Sequence, residues 1–290
     1  MFKAVLALVT LVVLTSCSQS APEEDVQFVL LGKTRNYRQS ETGALTFLNT
    51  VFFGEIFLNE GGAVSDAFVT GPGDAERGLH FDDQEVPFLA GNRHFSIDSL
   101  DAQYPDGTYF FNFDTPHGNV RDLPVTFAKH GLESRFPAPV EISLSQDGET
   151  ANPSAIDPNK DLLVTWNEFA VGAADPNGVI DDLIFVIMGN CLGVKTVHSG
   201  RAFATPSLTY VDREFTIPKE SLHSGQPFQV EVEFSEMDTD RPKTLVSIVT
   251  YATSTFLDIR TTGTNEQEVA CPAFPFAMDG GQTDRQKPPS

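Results

Sequence analysis

Four oxygen-bearing side chains fall within the eight-residue stretch DPNGVIDD, and they are Asp175, Asn177, Asp181 and Asp182. Carboxylate and amide oxygens are the ligands that calcium prefers, and the ion takes roughly six to eight of them. The glycine is the fourth residue of the stretch and no glutamate stands at its twelfth position, so it does not match the EF-hand loop. Two interpretations stay open, a calcium site on these four residues and a hairpin turn with solvated acids, and we favour the turn.

The histidines offer no catalytic or zinc-binding pattern. None lies in an HExxH or His-x-His motif, and the six are His80, His94, His117, His130, His198 and His223. Two of them directly precede a serine, but neighbours on a strand point to opposite faces, which is poor geometry for proton transfer. No GxSxG elbow is present. We therefore predict no enzyme activity, no catalytic residue and, calcium apart, no cofactor.

A carboxylate pair of the glycosidase type stays open as an alternative, because such enzymes need only two acidic side chains at a fixed separation. The chain has 40 acidic residues, so its sequence does not single out a pair. The same abundance gives a formal net charge of −21. A surface of this charge repels nucleic acid, which we exclude as a partner.

The amino terminus predicts export and a lipid anchor. Lys3 precedes an apolar run from Ala4 to Leu14, which is long enough for a signal peptide and too short to span a bilayer. The run ends in Leu14-Thr15-Ser16-Cys17, which resembles the bacterial lipobox. The resemblance implies that residues 1–16 are a lipoprotein signal peptide and that Cys17 is acylated, so that the lipid bilayer is a partner. Ordinary signal cleavage between about residues 16 and 21 is the alternative.

The residues after Leu14-Thr15-Ser16 predict the membrane to which the lipoprotein is sorted and the segment that tethers it. In bacteria with two membranes, a residue other than Asp after the lipidated cysteine implies the outer membrane, and Ser18 fits. Residues 17–25 are mostly polar and predict a short flexible leash. Cleavage removes the cationic Lys3, which takes the formal charge from −21 to −22.

The two remaining cysteines, Cys191 and Cys271, form an even pair in an oxidising compartment and predict a disulfide. It would close a loop of about 80 residues and stabilise the fold by roughly 4 kcal/mol in the chain-entropy model.

The pattern of apolar residues predicts an all-β protein. Apolar and polar residues alternate without interruption from Phe228 to Ser235, so we expect a strand with one packed face and one face in water. Similar short segments recur with Gly, Pro and Asp between them, including one from Leu45 to Asn59 with an expected break near Gly54. One helical turn is predicted at Ser96–Tyr104. The spacing favours antiparallel sandwiches.

Domain boundaries are predicted from the proline segment Phe136-Pro137-Ala138-Pro139, which favours an extended connection. The expected architecture is two tandem antiparallel β-sandwich domains at 26–136 and 137–262. A partly disordered tail follows at 263–290, rich in Pro, Gly and polar residues.

Several stretches also carry a family resemblance. They are Tyr104–Phe111 (YPDGTYFF), Pro137–Pro139 (PAP), Ile156–Asn167 (IDPNKDLLVTWN) and Ile217–Gly225 (IPKESLHSG). They resemble uncharacterised secreted or lipid-anchored β proteins of environmental bacteria. The second half is similar to fibronectin type III or immunoglobulin-like sandwiches, with Trp166 as the core tryptophan and Leu222 with Gly225 as the turn before a late strand. The resemblance implies fold and location and supplies no catalytic residue.

These observations together predict a non-enzymatic lipoprotein of the bacterial cell envelope, with a binding, adhesion or structural role and an unknown envelope protein or glycan as partner. The alternative is a surface accessory protein that binds or hydrolyses carbohydrate. A cleft lined by two carboxylates or by exposed aromatic rings would favour the alternative.

Overall fold

The computed structural model describes residues 21–81, 87–127, 136–174, 178–191, 195–200, 202, 206–264 and 271. The strands are β1 Val26–Gln39, β2 Leu45–Leu58, β3 Ser65–Thr70, β4 Leu79–His80, β5 Phe88–His94, β6 Thr108–Thr115, β7 Gly118–Thr126, β8 Ile142–Gln146, β9 Glu149–Thr150, β10 Leu162–Trp166, β11 Leu183–Asn190, β12 Lys195–His198, β13 Leu208–Thr209, β14 Glu214–Ile217, β15 Pro227–Asp240 and β16 Val246–Arg260. In the described ranges one α-helix accompanies them, α1 Ile97–Gln103, with short 3₁₀ turns at Pro22–Glu24, Gly73–Arg77, Pro153–Ala155 and Lys219–Ser221. The predicted all-β sandwich class is confirmed.

The described strands form three sheets. Sheet 1 has eight strands in the order β12-β11-β15-β16-β1-β2-β5, with β13 also paired to β11. Sheet 2 has the order β4-β3-β6-β7, and sheet 3 has the order β14-β10-β8-β9. Within these three sheets the strands pair antiparallel except β1 with β16, which run parallel over twelve residue pairs from Phe28–Val246 to Gln39–Leu257.

The two small sheets pack on the same face of sheet 1. On β16, Val249 and Tyr251 belong to the apolar cluster shared with sheet 2. Farther along the strand, Leu257 and Ile259 belong to the cluster shared with sheet 3. All four have odd numbers, and alternate residues of a strand point to the same side. Sheet 2 therefore covers the half of sheet 1 where β1 begins, and sheet 3 covers the half where β1 ends.

The two halves of the chain share sheet 1. Strands β1, β2 and β5 precede the proline segment, and β11, β12, β13, β15 and β16 follow it. Side chains of sheet 1 hold the proline segment in place. Arg35 Nη2 donates to the carbonyl of Pro137 at 2.6 Å, and Thr253 Oγ1 donates to the same oxygen at 2.8 Å. The division at 136/137 stays a prediction, and it falls where the chain passes from sheet 2 to sheet 3.

Gln39 makes a further connection between the halves. Its side-chain amide donates to the carbonyl of Ile142 at 2.6 Å and accepts from the backbone N–H of the same residue at 2.8 Å. The amide thus takes the place of a backbone partner at the start of β8.

The expectation that one face of Phe228–Ser235 meets water is wrong. Gln229, Glu231 and Ser235 lie on that face and are 6%, 7% and 1% exposed. Hydrogen bonds satisfy polar groups there, because the carboxylate of Glu233 accepts from Ser235 Oγ at 2.7 Å and from Ser254 Oγ at 2.5 Å. A central strand between two long neighbours can bury polar side chains when partners of this kind are at hand.

The expected break near Gly54 is also wrong, since β2 runs through it. Gly54 pairs with Leu31, and a Cβ added to it would lie 3.0 Å from the Leu31 side chain. The glycine thus serves close packing within a continuous strand, one of the reasons for glycine in strands.

Three other predictions are confirmed. The helical turn at Ser96–Tyr104 is α1, whose Ser96 side chain accepts from the backbone N–H of Ser99. Trp166 is 7% exposed in the sheet 3 cluster. Cys191 and Cys271 form a disulfide with their Cα atoms 4.6 Å apart.

Candidate functional site

A buried lysine with two carboxylate partners lies in the described core. Lys33 lies in the middle of β1, and its side chain is fully buried. Its Nζ is 3.0 Å from Asp101 Oδ1 and 2.7 Å from Asp106 Oδ1. It also lies 5.0 Å from the ring centroid of Phe127, within the range of a cation–π contact.

Local structure positions both carboxylates. Asp101 projects from α1, and Asp106 lies in the turn before β6. The hydroxyl of Tyr109 donates to the carbonyl of Pro105 at 2.8 Å and fixes this turn. Burial, followed by the nearby charge of Asp106, raises the pKa of the Tyr109 phenol well above its ordinary value, so the hydroxyl stays a donor.

Asp106 also borders a surface groove of about 490 Å³. The groove is lined by Thr70, Gly71, Pro72, Glu76, Asp106, Gly107, Thr108 and Phe110. Its volume falls in the range of small-molecule sites. Two carboxylates and an aromatic ring are groups that bind sugar hydroxyls and sugar faces, and Glu76 is exposed. Because Lys33 neutralises Asp106 from inside, Glu76 is the freer carboxylate of the two.

A second cleft of about 270 Å³ lies where sheet 2 meets the hairpin between β15 and β16. It is bordered by Asp238, which is 3% exposed, and by the half-buried Asp240. It is smaller than the groove beside Asp106.

The predicted calcium ligands are only partly within the described residues. Asp175 and Asn177 lie outside them, and Asp181 is fully buried. Both carboxylate oxygens of Asp182 accept from backbone amides, those of Met237 at 2.7 Å and of Ala173 at 2.8 Å. Asp182 therefore holds its loop against β15. Within the part of the chain that the structure describes, no three acidic, histidine or cysteine side chains are close enough to hold a metal, and the calcium site stays a prediction.

His117 makes specific contacts at the start of β1. Its Nδ1 lies 2.9 Å from Asp25 Oδ2, and its backbone N–H donates to the same oxygen at 3.3 Å. Burial alone would raise the pKa of Asp25, but hydrogen bonds from Thr115 and His117 outweigh it and hold that pKa below its ordinary value. Asp25 is the residue before β1, so this contact fastens the start of the first strand.

The sequence did not point to Lys33, Asp101 and Asp106 as partners. The only local signal is a lysine inside the apolar run VQFVLLGK, and its partners lie 68 and 73 residues away. Cys17, the predicted lipidation site, lies outside the described residues.

No helix in the described ranges is long and apolar enough to cross a membrane. No protein-family model matches the chain, and no curated protein matches it significantly.

Proposed function

We propose that this chain is a lipid-anchored protein of the bacterial cell envelope with a non-enzymatic binding or structural role. The observation that carries the proposal is Leu14-Thr15-Ser16-Cys17 at the end of an apolar segment, followed after a few residues by a firmly packed β body. Three acyl chains of the kind that bacterial lipoproteins carry would hold such a body at a bilayer, because stable anchoring takes more than one chain.

The construction of the body supports a presenting or structural role. β1 and β16 are 14 and 15 residues long and pair along most of their length, so a single pair of strands spans both small sheets. The disulfide joins Cys191, directly after β11, to Cys271. A body that is held together in this way can keep a recognition surface at a fixed distance from its anchor.

Metabolic labelling tests the anchor. Cells that express the full chain are fed an alkyne analogue of palmitate, and the protein is isolated from membrane and soluble fractions. We expect the wild-type protein to carry the label and to be in the membrane fraction. The Cys17→Ser variant should carry no label and should be in the soluble fraction. Wild-type protein without label would contradict the proposal.

Carbohydrate binding is the second candidate, and the groove beside Asp106 is the observation that favours it. Glu76 is exposed there, with Phe110 close by. The test is calorimetry and reducing-sugar release with soluble polysaccharides, comparing Glu76→Gln with Glu60→Gln, which changes an exposed glutamate outside the groove. Binding or sugar release that only Glu76→Gln abolishes would support this candidate, and wild-type protein inert toward the polysaccharides would contradict it.

A further inference from the structure

The first residues that the structure describes are fastened to one end of the body. The backbone N–H of Glu24 donates to the carbonyl of Ala21 at 2.9 Å. The side-chain amide of Asn59 donates to the carbonyls of Glu23 at 2.9 Å and Glu24 at 3.2 Å. The backbone N–H of Asn59 donates to the carbonyl of Asp25, also at 2.9 Å. The predicted leash over residues 17–25 is therefore fixed from residue 21 onward.

Three turns lie around this attachment. We use the name anchor end for the surface made by residues 22–25, 59–62, 116–118 and 241–244. The turn at 59–62 contacts the attached residues 22–25, since a Cβ on Gly62 would lie 2.1 Å from the Asp25 carbonyl oxygen. The turn at 116–118 is held by the contact of His117 with Asp25.

The hairpin between β15 and β16 completes the anchor end. β16 begins at Val246, in register with Phe28 near the start of β1, and the two strands run in the same direction. Lys243 Nζ donates to the carbonyl of Arg121 at 2.6 Å, which fixes the hairpin against β7. Arg241 and Lys243 are both exposed at this end, and so are the acidic Glu23, Glu24 and Glu60.

The chain between Cys17 and the attached residues has a short maximum reach. Four residue steps separate Cys17 from Ala21, and even a fully extended chain covers about 3.6 Å per step, or about 14 Å in total. β1 has 14 residues, which at about 3.3 Å each span about 46 Å. The leash is thus much shorter than the body, and it leaves from one end of it.

We propose that the anchor end faces the headgroup surface of the bilayer, so that β1 runs away from the membrane and sheet 3 is presented at the far end. The inference rests on the lipid anchor of the proposed function. The short leash leaves from the anchor end, and this attachment keeps that end, rather than the far end with sheet 3, next to the bilayer.

Depth-dependent quenching tests the orientation. Glu60→Cys labels the anchor end and Glu41→Cys labels the turn between β1 and β2 at the far end; both glutamates are exposed. The chain has three cysteines, and lipid and the disulfide occupy them, so each variant gains one site for a fluorophore. The acylated proteins are reconstituted into phosphatidylcholine vesicles that contain a headgroup-linked nitroxide.

We expect at least threefold stronger quenching at position 60 than at position 41. Equal quenching would mean that the body lies flat and would overturn the inference, as would stronger quenching at position 41. Insertion of about twenty Gly and Ser residues after Ser18 gives a leash with a root-mean-square span of about 25 Å. It should lower quenching at position 60, and unchanged quenching would also overturn the inference.

The fatty-acid content of the same samples separates the two proposals. Protein without a fatty acid contradicts the proposed function itself. Acylated protein that is quenched equally at both positions contradicts only the orientation.

Discussion

Removing the carboxylate partners of Lys33 should destabilise the protein more than removing Lys33 itself. The lysine side chain is fully buried, whereas the side chains of Asp101 and Asp106 are 25% and 27% exposed. The double variant Asp101→Asn/Asp106→Asn leaves an ammonium group without a counter-charge in an apolar cluster. Lys33→Met leaves two carboxylates that already reach solvent.

The expected sizes follow from this difference. Breaking a buried ion pair so that a buried charge stays unpaired costs about 3–5 kcal/mol, and we expect a loss in that range for the aspartate double variant. Replacing a buried charge by an apolar side chain of similar volume costs less, and we expect about 1–2 kcal/mol for Lys33→Met. The triple variant should be close to Lys33→Met, because the two changes act on one interaction.

Urea unfolding followed by far-ultraviolet circular dichroism measures these free energies, provided that the slope with denaturant is unchanged. Asp147→Asn is the matched control, since Asp147 pairs with Lys160 at the same 2.7 Å but on the surface, with side chains 68% and 44% exposed. We expect no measurable effect from it. An aspartate double variant no less stable than this control, or a larger loss for Lys33→Met than for the double variant, would show that Lys33 does not need its carboxylate partners.

Three further predictions concern single contacts. Tyr109→Phe should lower the free energy of unfolding by about 1 kcal/mol at pH 7. Because the pKa of Tyr109 is raised in the folded state, its contribution to stability is complete below the unfolded pKa and is lost as pH rises toward the folded value. Thermal melts of the variant should therefore show a smaller loss of stability above about pH 10 than those of the wild type. Asp25→Asn should remove stability that is present above about pH 4 and disappears as pH falls through the lowered folded pKa, so thermal melts of variant and wild type should converge in acid. The double variant Cys191→Ser/Cys271→Ser should lose roughly 4 kcal/mol in urea unfolding, because the 80-residue separation sets the loop entropy; equal stability would contradict this.

The sequence predicts local structure here better than it predicts pairing. Strict alternation identifies Phe228–Ser235 as a strand because period 2 is a property of consecutive residues. It does not reveal that β1 pairs in parallel with β16, which lies near the other end of the chain. The residues of a strand do not indicate which distant strand pairs with it, and here the partner is more than 200 residues away. The same limit explains the wrong expectation of a water-facing side, because burial of Glu231 depends on distant neighbours.

One of the candidate sites could be predicted from the sequence and another could not. The disulfide was predictable because two cysteines remain once Cys17 is assigned to lipid, which leaves only one pairing. The buried Lys33 was not, since its partners Asp101 and Asp106 come from a helix and a turn that only the folded chain brings to β1.

The mass of the amino-terminal peptide, from protein purified out of the membranes of a bacterium that makes it, tests the central claim most directly. We expect a chain that begins at Cys17 and carries a diacylglycerol group on its sulfur. A chain that begins at Met1, or one with an unmodified Cys17, would contradict it.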